Sequence, residues 1–274
     1  MKIGPIQTVT ILTHDLAASA DMYSSAFGWQ ILKPEYQLSD EDASRWQATN
    51  LIGARVLEVR GINGGVRFIE SANHLNPQPL RTFGWSSLEI CVDDVHKYVA
   101  QAVKAGFEVL NEAVPLSGTA KPLPLIAAQL AGINGEVVYI TQILSEVPNF
   151  ELPDVSKESG SVFICVLGAS DLEKSREVLE SNFEVRRASD REVAIRVINR
   201  VYGKPLDTLH RLSSLQLAGR NAIEIDQMPI EGVKREVAPN DLSAGISVVT
   251  VRGSVAERKM IRLPDNALLE ILPY

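Results

Sequence analysis

The run TVTIL, residues 8–12, leads directly into THDLAASADMYSSAFGWQIL, residues 13–32, and this junction decides the fold reading. The first part sets Thr, Val and Ile side by side, the composition of a strand whose branched side chains pack on a pleated sheet. In the second part Asp15 is placed to cap a helix, Leu16, Ala20, Tyr23 and Phe27 recur on one helical face, and Gly28 stops it. A further strand starts at Trp29, and a polar helical or loop stretch occupies residues 39–50. The strands ARVLEVRG (54–61) and GVRFIES (65–71) then flank an Asn63-Gly64 turn. The order is β-α-β-β-β.

The same order returns along the chain, which makes an internal repeat the first property to establish. The second copy has the strand SSLEICV (86–92), Asp94 as cap, Val95, Val99 and Ala102 on one helical face, and Gly106 as stop. Its later strands are FEVL, IAAQL and EVVYITQI, with Asn134-Gly135 before the last. A third follows with SVFICVL (161–167), Asp171 as cap, the helix LEKSREVLES, the strand FEVRRA, a helix over REVAIRVINRVYG (191–203), and the strands LSSLQLAG and NAIEIDQ. Asp171 precedes Arg220 by the interval that separates Asp15 from Gly64, so Arg220 takes the place of the hairpin glycine. The last copy, GISVVTVRG and KMIRLPDNALLEIL, has no room for a helix and reads as truncated. Residues 146–159, rich in Pro, Ser and acidic side chains without periodicity, read as a linker between a domain over 1–145 and a domain over 160–274.

The composition narrows the function classes. The chain has 274 residues, 45% of them hydrophobic and 22% charged, which suits packed domains. A net charge of −7 with scattered Lys and Arg argues against a nucleic-acid partner. No apolar run is long enough to span a bilayer and no secretory signal is evident, so a cytoplasmic protein without a membrane partner is expected. The two cysteines, Cys91 and Cys165, lie in apolar strands and fit neither a disulfide framework nor a zinc motif. GINGGV and GINGEV are hairpin turns that precede no helix, so they are not phosphate loops.

The repeated unit, with Asp opening its helix and Asn-Gly or Asp-Asn before its last strand, resembles the vicinal oxygen chelate superfamily, which includes glyoxalase I, bleomycin-resistance proteins and extradiol dioxygenases. The resemblance implies an α+β fold in which tandem β-α-β-β-β repeats form two open barrels, the last repeat truncated. It also implies a metal bound seven residues before each capping Asp and four after each hairpin glycine. Those places hold Thr8, Ser87 and Ile164, and Phe68, Tyr139, Glu224 and Glu270. The N-terminal pair of units thus offers no imidazole, thiolate or carboxylate, so neither a metal nor another cofactor is expected there.

Function is then expected in a small-molecule cavity of the N-terminal barrel, lined by Thr8, Thr10, Phe68, Trp85, Ser87 and Tyr139, with Arg81 holding an anionic or aromatic group. If Phe68 faces the cavity, Glu70 does too, and a carboxyl in an apolar pocket acquires the raised pKa of a general acid or base. Glu70 is therefore the candidate proton-transfer group of an isomerase or lyase, Tyr139 the polariser of a substrate oxygen, and His74 a candidate on the connecting loop. A salt bridge from Glu70 to a surface Arg and a core role for Tyr139 remain open, and Glu224 with Asp226 is assigned to solvent. The alternatives are a non-catalytic binder of an apolar or aromatic compound, and a metal-dependent dioxygenase or lyase using off-register carboxylates such as Glu224 and Glu270. A small molecule is the expected partner, and a homodimer is left open.

Overall fold

The computed structural model describes residues 1–72, 77–117 and 122–274. The first unit comprises β1 (Ile3–Thr13), α1 (Leu16–Phe27), β2 (Gln30–Ile31), β3 (Tyr36–Gln37), α2 (Asp40–Arg45), β4 (Arg55–Arg60) and β5 (Gly65–Glu70). The second has β6 (Gly84–Val92), α3 (Val95–Lys104), β7 (Glu108–Ser117), β8 (Pro122–Ala131) and β9 (Val137–Ile143). A short α4 (Val155–Glu158) lies in the connection to the third unit. That unit has β10 (Ser161–Ala169), α5 (Leu172–Asn182), β11 (Arg186–Ala194), α6 (Arg196–Val201), β12 (Leu209–Gln216) and β13 (Ala222–Gln227). The fourth keeps β14 (Ile246–Gly253), β15 (Lys259–Arg262) and β16 (Leu268–Pro273).

The local signals act as expected. Asp15, Asp94 and Asp171 each accept the backbone N–H three residues ahead, at 2.9, 3.1 and 3.1 Å, satisfying one of the donors that a helix start leaves unpaired. Arg220 adopts φ 60° beside Gly219 at 73°, and Asp265 and Asn266 adopt 58° and 60°, so both turns use the left-handed region of the glycine turns. In every unit the first strand runs parallel to the last: β1 to β5, β6 to β9, β10 to β13 and β14 to β16.

The units pair differently from the expectation. One sheet has the order β15-β16-β14-β1-β5-β4-β2, with β3 also on β4, and the other β11-β12-β13-β10-β6-β9-β8-β7. The first unit is therefore completed by the fourth through antiparallel β1 and β14, and the second by the third through β6 and β10. The division at 146–159 does not separate the sheets; that segment joins the two units that share one. Each first strand has one edge occupied by the last strand of its own unit, and the free edge accepts another first strand.

The reading of 191–203 as a helix also needs correction. Pairs Arg191↔Leu212 and Val193↔His210 carry β11 on to Ala194, and only Arg196–Val201 is helical. A strand there puts Arg191 on a sheet face.

One apolar core joins α1, α3 and α5 to the outer faces of both sheets. Val9, Ile11, Val66 and Phe68 come from one sheet, and Leu88, Ile90, Val138, Ile140, Ile223 and Ile225 from the other. The residues between these on each strand face inward, toward the hollow of their own half-barrel. Among the described residues no helix is long and apolar enough to cross a membrane.

Candidate functional site

The half-barrel of the second and third units holds a cavity of about 400 Å³. Strand register explains its polar floor. Asn111 pairs with Gln129, Gln129 with Tyr139, and Tyr139 with Glu89, so a polar row crosses four neighbouring strands on one face. From the third unit Arg191 pairs with Leu212, Leu212 with Asp226, and Ser214 with Glu224. The walls are apolar, with Val114 and Leu125 on the long β7–β8 hairpin, Phe163 and Ile164 on β10, and Val193 and Ile195 at the β11 end.

The floor gathers more acid than base. Among the described residues, Glu89, Glu224 and Asp226 line the cavity beside one inner guanidinium, that of Arg191, while Arg196 and Asp207 lie at its exposed mouth. Thr141 Oγ1 donates to Glu89 Oε2 at 3.1 Å and Ser214 Oγ to Glu224 Oε2 at 3.2 Å. Asp226 is 3% exposed, and its Oδ1 receives no hydrogen bond among the described residues. Burial, reinforced by the Glu224 charge, pushes the Glu89 carboxyl up to about 8. Asp226 is raised by burial and by both neighbouring glutamates; Glu224 is raised by burial against the opposing pull of Arg191. Burial and the three acids also lift the Tyr139 hydroxyl well above its usual value, so it remains a neutral donor. Each carboxyl of this floor thus holds a proton more tightly than a free acid does, next to an apolar chamber.

No protein-family model matches the sequence, nor does any curated protein. Solved structures do match in fold. A V278E mutant of glyoxalase I from Zea mays is 13% identical with a TM-score of 0.63, over 98% of this chain and 92% of that one. Maize glyoxalase I without that substitution gives 12% and 0.61 over 98% and 92%. A Bacillus subtilis protein described as a dioxygenase gives 12% and 0.63 over 99% and 86%. The chain has the vicinal oxygen chelate fold.

That fold implies a metal, and the donors of this cavity do not fit one. Ser87 and Ile164 stand where ligands would come from β6 and β10 and Tyr139 in the last-strand place of its unit, so of the four places only Glu224 carries a metal-binding group. Among the described residues no three His, Cys, Asp or Glu side chains are gathered as a metal-holding set. Glu224 and Glu270, offered above as off-register ligands, belong to different sheets and cannot share an ion.

The expected site residues divide accordingly. Tyr139 lines the cavity, as does its strand neighbour Thr141. Glu224 and Asp226 line it too, rather than facing solvent, because their unit pairs with a complete one. Phe68 points the other way, its ring 5.5 Å from that of Tyr23 in the core. Glu70 shares that parity at the strand end and forms a surface ion pair with Arg55 at 3.0 Å, so it is not the proton-transfer group of a cavity. Trp85 is a core residue whose indole N–H donates to the Leu268 carbonyl across the two sheets. Ser87 is buried on β6 outside the cavity lining. Arg81 is exposed, donating to the Val201 carbonyl at 2.7 Å, its guanidinium 5.7 Å from the Tyr202 ring centre. His74 lies outside the described residues.

Thr8 and Thr10 face the hollow of the other half-barrel, which is filled. α2, Trp46, Leu38 and Leu51 pack into it beside Leu12, Ile69 and Val248. Arg67 there donates to Glu58 at 3.2 Å and lies 3.9 Å from Glu270, while Trp46 Nε1 donates to Glu270 at 3.0 Å and Thr250 Oγ1 at 2.9 Å. The first and fourth units thus keep the architecture of a site and close it with an ion-paired plug.

Proposed function

We propose that the protein binds a small molecule in the half-barrel of the second and third units, and that Glu89 exchanges a proton with it. The observation that carries this reading is a roomy chamber with apolar walls and a convergent floor of acids with raised proton affinity, the combination that ligand sites use for affinity and orientation. The acid–base role inferred from sequence for Glu70 passes to Glu89. Tyr139, paired directly with it on the adjacent strand, would donate to a ligand oxygen. An isomerase or lyase chemistry would run through those two groups.

A blocking substitution tests the reading. Val114→Trp places a large ring on the half-buried wall of β7, where the backbone need not move. In a ligand-observed NMR screen of apolar fragments, binders of the wild type should lose at least about tenfold in affinity, near 1.4 kcal/mol. Thermal unfolding should be unchanged. Equal binding to both proteins would place the ligand elsewhere and refute the proposal.

A further inference from the structure

Resting on that reading, we infer that the polar end of the cavity takes a protonated amine, so that the ligand is an organic ammonium compound with an apolar body. The argument is one of charge and of donors. Among the described residues, the ionisable groups facing the floor are Glu89 from β6, Tyr139 from β9, Arg191 from β11, and Glu224 and Asp226 from β13. The other lining polar groups described are neutral, Asn111, Gln129 and Thr141, and at the mouth Arg196 and Asp207 offset each other. Three carboxyl groups therefore face one guanidinium. Without a ligand, electroneutrality in this low-dielectric site requires two of the three to hold protons, in keeping with their raised affinity for them. An ammonium group supplies one positive charge, so only one proton need remain.

The hydrogen bonds point the same way. Thr141 and Ser214 give one hydroxyl each to Glu89 and Glu224, and Asp226 Oδ1 receives none among the described residues. An ammonium carries three donors and no acceptor, the inventory that a floor of acceptors lacks. Arg191 Nε is likewise buried without an acceptor among the described residues, which makes a carboxylate the strongest competitor. It would pair with Arg191 but would add a fourth negative group beside the three acids.

The test uses the whole protein and three matched probes, 4-phenylbutylamine, 4-phenylbutanol and 4-phenylbutyrate. Titration calorimetry in two buffers of different ionisation enthalpy counts the protons exchanged. The amine should bind about tenfold tighter than the alcohol. It should release about one proton at pH 7, and it should tighten between pH 6 and 8 as that proton leaves more readily. In the Glu224→Gln/Asp226→Asn variant the amine's advantage should disappear while the alcohol still binds. Both changes remove a buried ionisable group without altering shape; should the variant fail to fold, the probe ranking and the proton count on the wild type decide. Alcohol or butyrate binding as tightly as the amine, or amine binding without proton release, overturns the ammonium assignment while Val114→Trp-sensitive binding keeps the cavity reading. If no probe binds, or Val114→Trp blocks none of them, both fall.

Discussion

Replacing Arg67 with Ala is expected to lower the free energy of unfolding by about 3–5 kcal/mol, the range for breaking a buried charge pair from one side. Arg67 is 8% exposed; it donates to Glu58, reaches Thr10 Oγ1 at 3.4 Å, and lies over the Trp46 ring at 5.3 Å. Burial alone would raise the Glu58 carboxyl, but Arg67, together with the Tyr36 hydroxyl and Lys33, outweighs it and holds the group below its ordinary value. The contribution of Glu58 is therefore present above the unfolded carboxyl pKa and lost as pH falls through the lower folded value. Without Arg67 a buried anion is left beside Glu270. Urea denaturation at pH 7 measures the loss, and the deficit should shrink on acidification as Glu58 takes up a proton. The double variant Arg67→Met/Glu58→Gln should recover most of it, because apolar and neutral replacements remove the stranded charge. A loss below about 1 kcal/mol in Arg67→Ala would mean that the plug of the first half-barrel is not held by this network.

That plug bears on how far sequence can be read. The elements were legible because their signals are local: an Asp that caps its own helix, a left-handed turn at Arg220 or Asn266, and alternation along a strand. The pairing of units was not. Every first strand is an apolar run with one free edge, so TVTIL could as well pair with SSLEICV as with SVVTV, and only the whole assembly selects. Two placements turn on that choice. A cavity in the first two units would need β1 beside β6, and the acids of AIEID line a hollow because Ile223 and Ile225 occupy the core side of that strand. The choice of Glu70 failed for a different reason. A face was assigned to Phe68 by superfamily register, and its contact with Tyr23 reverses that face for every second residue.

SSLEICV carries a signal for Glu89. A lone carboxylate between Leu and Ile, on a strand apolar enough to be buried on both sides, either needs a partner or must lie in a hollow. Arg191 was hidden by a helical reading of 191–203 that cross-strand pairing overrode. Helical periodicity over such a short stretch is weaker than a full ladder of strand hydrogen bonds.

Two buried acids, Glu136 and the cavity's Glu89, should make the protein less stable as the solution becomes less acidic, in two windows that single substitutions separate. Glu136 is fully buried. Its Oε1 accepts from the Tyr23 hydroxyl and its Oε2 from the Asn134 N–H, both at 3.0 Å, and burial raises its pKa to about 7. Because the folded value lies above the unfolded 4.5, the folded state binds the proton more tightly. Stability is then greatest below pH 4.5 and falls as pH rises to about 7, by on the order of 3 kcal/mol. Glu89 adds a window that extends to about pH 8, on the order of 5 kcal/mol, with Glu224 and Asp226 sharing the titration. Urea denaturation at intervals from pH 4.5 to 9 should therefore show Glu89→Gln losing the upper part of the decline and gaining stability at pH 8. Gln at position 89 can still accept from Thr141, so no hydrogen bond is given up. Glu136→Gln should flatten the lower part, its amide oxygen accepting from the Asn134 N–H and its NH2 donating to the Tyr23 hydroxyl as the protonated carboxyl does. An unchanged slope in Glu89→Gln would show that this carboxyl is ionised in the folded protein at neutral pH, and would remove the proton-exchange role assigned to it in the cavity.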